Sequence, residues 1–167
     1  MNQNNIGFYE EPRNANGIIR SRTTLQIRSW DMPRTQKALE GFNTEIGKAE
    51  FPGVYILFAK NRVSVGEAKS LYNRLKTHMT TPDDKVKDWQ RVLIVNDGRP
   101  ATQSDFNDTV VRRALEIYLV RLLRANKYVV VSQGEPQILN SFQKHTVDSL
   151  TVELNTLLKK KSIITKV

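Results

Sequence analysis

Four side chains have the types and spacings that chemistry on an anion would need. Arg74 and His78 stand four residues apart and share a helical face with Ser70, while Leu71 and Leu75 face elsewhere. A guanidinium there can clamp a phosphate through two parallel hydrogen bonds, and an imidazole can donate to an oxygen or pass on a proton. The same pair equally describes a solvated basic face. Glu116 borders an apolar stripe beside Leu119 and Leu123. A carboxylate at a core edge can hold a divalent cation, or it can pair with Arg112 or Arg113 one turn earlier. Tyr55 lies in the densest apolar run, where a tyrosine fills the core and keeps its hydroxyl at the rim.

Composition narrows the classes. The 167 residues suit one domain, and 26 Lys and Arg against 17 Asp and Glu give a net charge of +9, which favours an anionic partner such as nucleic acid. The absence of cysteine excludes disulfides, thiolate zinc sites and a cysteine nucleophile, and the two histidines, His78 and His145, exclude a His-rich metal cluster. No apolar run is long enough to span a membrane, and the start of the chain lacks a signal-peptide pattern, so a cytoplasmic protein is expected. Neither a Walker loop, a dinucleotide-binding glycine pattern, a Ser/His/Asp arrangement nor an HExxH motif occurs.

The elements that must position these residues can be read from periodicity. Residues 1–17 are polar and predict a mobile tail. Residues 18–30 alternate as a strand does, and 33–47 carry Leu39, Phe42 and Ile46 at helical spacing. Residues 53–59 and 62–66 predict a hairpin turning at Lys60-Asn61, followed by a helix over 68–79 and a strand over 90–96. The long stripe of 109–126 predicts a helix, 127–132 a short strand, and 145–160 a last helix running into Lys159, Lys160 and Lys161.

The order of these features resembles the GIY-YIG nuclease family. Gly53-Val54-Tyr55 matches its first motif and Ser64-Val65-Gly66 its second, with Ser64 where the family has tyrosine. Leu71-x-x-Arg74-Leu75-x-x-His78 matches its first helix, and Ala114-Leu115-Glu116 its glutamate helix. Gly66-Glu67-Ala68 looks like the helix start of a bacterial branch, and Asp88-Trp89 like that branch's lead-in to a strand. The family's later asparagine has no counterpart in 131–136, where Ser132 and Gln133 are the candidate substitutes.

The resemblance covers about 51–135. It implies an α/β domain of α+β type, with a central, mostly antiparallel three-stranded sheet flanked by helices. Residues 18–50 would be an N-terminal extension and 136–167 a C-terminal helix with a basic tail. The implied activity is DNA endonuclease, with Mg²⁺ or Mn²⁺ on Glu116, Tyr55 activating water, Arg74 on the phosphate, His78 assisting and Ser64 beside Tyr55 across the hairpin. Arg62, Lys69 and Lys76 would flank the pocket and bind DNA, and Lys159, Lys160 and Lys161 would form a second basic site. A protein partner or second copy would supply specificity. The alternative is a DNA-binding module on a scaffold that no longer cleaves.

Overall fold

The structure, a computed structural model, describes residues 8–10, 19–21, 25–31, 37, 40, 51–80, 89–99 and 101–166. Among the described residues seven strands form one sheet: β1 (Phe8–Glu10), β2 (Ile19–Ser21), β3 (Leu25–Asp31), β4 (Gly53–Ala59), β5 (Arg62–Ala68), β6 (Arg91–Asp97) and β7 (Val129–Val130). Their order is β1-β2-β3-β6-β4-β5-β7. Every neighbouring pair is antiparallel except β5 with β7. Among the described residues three α-helices with given bounds complete this α+β fold: α1 (Leu71–Thr80), α2 (Thr109–Ala125) and α3 (Ser141–Lys160).

The expected three strands form the centre, β6-β4-β5, but the sheet extends further on both sides. From the segment expected as an extension, β3 pairs with β6 along its whole length, from Leu25 opposite Asp97 to Asp31 opposite Arg91. On the other side, β7 adds to β5. Part of the expected tail is also structured, since Phe8–Glu10 pairs with Ile19–Ser21. The helix expected over 33–47 lies outside the described residues except for Lys37 and Glu40, which are helical.

Central β4 is buried at all seven positions because both faces of the sheet are covered. Its Val54, Ile56 and Phe58 pack with Leu25, Ile27, Val63, Leu93 and Val95 against α2 and α3. Its alternate residues Tyr55, Leu57 and Ala59 pack with Trp30, Val92, Ile94 and Trp89 against Leu71 and Leu75 of α1. That two-sided burial explains the unbroken apolar run in the sequence.

Local chemistry sets the helix ends. Ser70 begins α1, its hydroxyl accepting from the Asn73 amide at 3.3 Å. Gly66-Glu67-Ala68, expected as a helix start, instead finishes β5, where those residues pair with β4. Asp108 caps α2 by accepting from the Val110 amide at 2.9 Å. Helix α3 begins earlier than expected, with Asn140 and Gln143 forming a reciprocal capping box. Beyond it, Ile163 and Ile164 are buried in the main core and Asn126 accepts from the Thr165 and Lys166 amides. The expected basic tail is therefore packed down.

Candidate active site

Alternation along β4 turns Tyr55 toward α1, and the hairpin register sets it opposite Gly66. The tyrosine is only 4% exposed. Its hydroxyl lies 2.8 Å from His78 Nε2, on the last turn of α1. The two rings are tilted by 60° with centroids 5.4 Å apart. Strand and helix thus bring together a phenol and an imidazole in hydrogen-bond contact, able to exchange a proton.

Gly66 makes room for this. A Cβ at Gly66 would lie 2.3 Å from both Oη and Cζ of Tyr55. Gly66→Ala is therefore expected to push the phenol off His78 while costing about 1–3 kcal/mol in folding from overpacking. An activity loss larger than that stability loss accounts for, measured alongside thermal melting, checks the assignment.

Ser64 does not sit directly across from Tyr55. It pairs with Leu57, one step further along the same face. Diagonal neighbours of this kind have Cβ atoms about 7–8 Å apart. The sequence expectation counted motif letters, whereas the antiparallel register makes Gly66 the direct neighbour.

Arg74, one turn before His78, is exposed, and its side chain makes no hydrogen bond or ion pair among the described residues. It lines a cleft of about 250 Å³ with Lys69, Ser70, Asn73 and Thr77. Lys76 lies over the Tyr72 ring at 5.9 Å. Arg62 stands apart, lining a separate cleft of about 390 Å³ at the hairpin tip with Lys60, Asn61 and Gln90. Lys159, Lys160 and Lys161 are at the far end of α3, beside the C-terminal end of α2, and do not join the Tyr55 site.

Glu116 projects from the middle of α2 into a cleft of about 450 Å³ lined by Arg113, Val131, Gln133, Gly134 and Glu135. Burial raises its carboxyl above the ordinary range, and Glu67 and Glu135 raise it further, while Arg113 and Arg74 oppose them. Among the described residues Glu116 makes no hydrogen bond or ion pair.

Arg112, one of its expected partners, is taken elsewhere. Its Nε donates to Glu67 at 2.8 Å and its Nη1 donates to the Phe106 carbonyl at 2.8 Å. Arg113 lies 3.7 Å from the same Glu67. Glu67 thereby ties the end of β5 to the helix that carries Glu116.

The loop after β7 settles which candidate substitute reaches the cleft. Ser132 is committed to the sheet, where its hydroxyl accepts from the Val65 amide at 2.8 Å. Gln133 lines the cleft. Gly134 takes a left-handed φ of 72°, and a Cβ there would lie 3.5 Å from Glu116 Oε1. Sequence reasoning passed over Gly134, though a glycine in Ser-Gln-Gly-Glu-Pro is a turn signal.

Glu116 is a half-buried carboxylate acted on by two carboxylates, Glu67 and Glu135, and by two guanidiniums, Arg113 and Arg74. No group of three or more His, Asp or Glu side chains able to hold a metal occurs among the described residues. A single carboxylate suits a hard cation that keeps water and takes phosphate oxygens as its other ligands. No described helix is long and apolar enough to cross a membrane. Comparison with protein-family models, with curated proteins and with solved structures gives no match.

Proposed function

We propose that this chain is a divalent-metal-dependent DNA endonuclease of the GIY-YIG type. The observation that carries the reading is the 2.8 Å hydrogen bond between Tyr55 and His78. It joins two of the motif residues, with Arg74 on the same helix and close enough to Glu116 to bias its ionisation. The antiparallel order β6-β4-β5, followed by a glutamate helix, supports the same reading.

In this scheme Tyr55 orients the attacking water and takes its proton. A phenol ordinarily ionises near pH 10, so it is a weak base at neutral pH unless it can hand its proton on. His78 Nε2 is placed to accept that proton. Arg74 binds the scissile phosphate and stabilises the charge that grows on its oxygens. Glu116 would hold Mg²⁺ or Mn²⁺, which when bound supplies Lewis acidity toward the leaving 3′ oxygen. The net charge of +9 favours the polyanionic substrate.

The test is cleavage of plasmid and branched DNA with Mg²⁺ or Mn²⁺, and with EDTA as control. Metal-dependent nicking supports the reading. Salt-sensitive binding without cleavage under any divalent metal would instead identify a DNA-binding module.

Arg74→Ala is expected to lower turnover by at least ~10²-fold, the scale of one lost electrostatic donor to a transition state. Ground-state DNA affinity should fall much less. Equal, modest losses in both measurements would make Arg74 an ordinary backbone contact.

A further inference from the structure

The segment joining β7 to α3 is fixed at both ends. At one end Val131 donates to the Val63 carbonyl at 2.9 Å, Ser132 bonds Val65, and Gly134 lies against Glu116. At the other, the Asn140–Gln143 capping box closes, and Gln143 Nε2 donates to Asp108 Oδ2 at 2.9 Å. That last bond is the main reason the Asp108 carboxyl is held below its usual range. The segment therefore runs along α2 from the Glu116 cleft to the helix N-terminus.

Two large apolar side chains stand out here, one in the tethered segment and one in the first turn of α3. Ile138 is 96% exposed and Phe142 is 76% exposed. Four residues of chain reach at most about 14 Å, so Ile138 lies within that distance of Gly134 and the cleft edge. Asp108, which anchors the Phe142 end, is about 12 Å along α2 from Glu116. Both side chains are thus within a few nucleotides of the position where a phosphate would meet Glu116.

Their neighbours Gln137, Asn140, Ser141, Gln143 and His145 are polar, Leu139 packs against the core, and Lys144 pairs with Asp148 at 3.7 Å. Two side chains expose a few hundred Å² at most. That falls short of the roughly 800 Å² that each partner of a stable protein interface buries. An aromatic and an aliphatic side chain isolated on the surface of a basic protein match what an unstacked nucleobase offers: a π-face with phosphate on either side.

Resting on the nuclease reading above, we infer that Ile138 and Phe142 contact nucleobases of the strand whose phosphate occupies the Glu116 cleft. The site then prefers nucleic acid with accessible bases, meaning single-stranded, gapped or branched DNA, over a regular duplex.

The test uses full-length Glu116→Gln protein, so that DNA stays intact, and oligonucleotides carrying 2-aminopurine at successive positions. The protein should bind single-stranded or gapped DNA more tightly than duplex of equal length, and should change the fluorescence at positions next to the cleft. Adding Ile138→Ser and Phe142→Ser together should weaken single-strand binding at least about fivefold, the scale of one lost stacking contact. It should also abolish the fluorescence change, with duplex affinity altered less. Phe142→Trp should keep the signal.

Unchanged affinity and fluorescence in the double serine variant would overturn the inference. So would loss of a dimer in sedimentation, or loss of binding to anionic vesicles, with the DNA signal unaffected. If the parent cleaves DNA but ignores these substitutions, only this inference falls. If the parent neither binds nor cleaves any DNA, the nuclease reading falls with it.

Discussion

Glu116→Gln is expected to end metal-dependent DNA cleavage, a loss on the order of 10³-fold or more, while metal-free DNA binding persists. The substitution keeps side-chain size and removes the half-buried carboxylate to which the proposed reading assigns the cation, leaving Glu135 in the cleft. It carries a second signature, in stability, that follows from burial. The Glu116 carboxyl is raised by burial and by Glu67, so in the folded protein its ionised form is disfavoured.

Between the unfolded and folded pKa the native state binds the extra proton, so stability from this group falls as pH rises through the folded value. Above the folded value that cost is present in full. Below the ordinary carboxyl range it is absent. Glu116→Gln should therefore raise the melting temperature at pH values above the folded carboxyl's range. The gain should vanish as the pH is lowered toward 4. Mg²⁺ should stabilise the parent and leave the variant unmoved. Thermal melts across pH, with and without metal, check all three. A variant that cleaves normally, or melts lower at pH 7, removes Glu116 from the metal role.

Tyr55→Phe is expected to slow cleavage by about 10²–10⁴-fold, the range for losing a positioned proton-transfer group. The ring still fills its place between Leu57 and α1, so the melting temperature should move little. His78 is partly exposed and can turn to water for the partner it loses. Single-turnover rates at saturating metal, read beside DNA affinity, separate the two effects. Parent-like cleavage by the phenylalanine variant would transfer water activation to His78.

The sequence displayed the central hairpin, strand β6 and helices α1 and α2 because each has its own apolar period. It did not display the size of the sheet. Pairing partners are chosen by tertiary packing, and β3 finds β6 far along the chain, with no local signal linking them. The same limit governed the charges. Arg112 one turn before Glu116 was as good a local partner as could be named, yet its guanidinium goes to Glu67, 45 residues away. A sharper reading was available in two places. Asn140-x-x-Gln143 is a capping signature, passed over in favour of the apolar run that begins at Val147. Ile163 and Ile164 follow the lysines and mark a segment with core to fill rather than a free tail.

The two-residue connection at Lys60-Asn61, where Lys60 takes a left-handed φ of 58°, also bears on how the molecule assembles. Closing so short a loop costs little chain entropy, whereas joining β3 to β6 or β5 to β7 must gather distant segments first. The β4–β5 hairpin is thus a natural early piece of the folding nucleus, and Tyr55 already faces Gly66 within it. That pairing needs neither α2 nor Glu116. On that order the Glu116 carboxylate is desolvated only when a scaffold is ready to hold it.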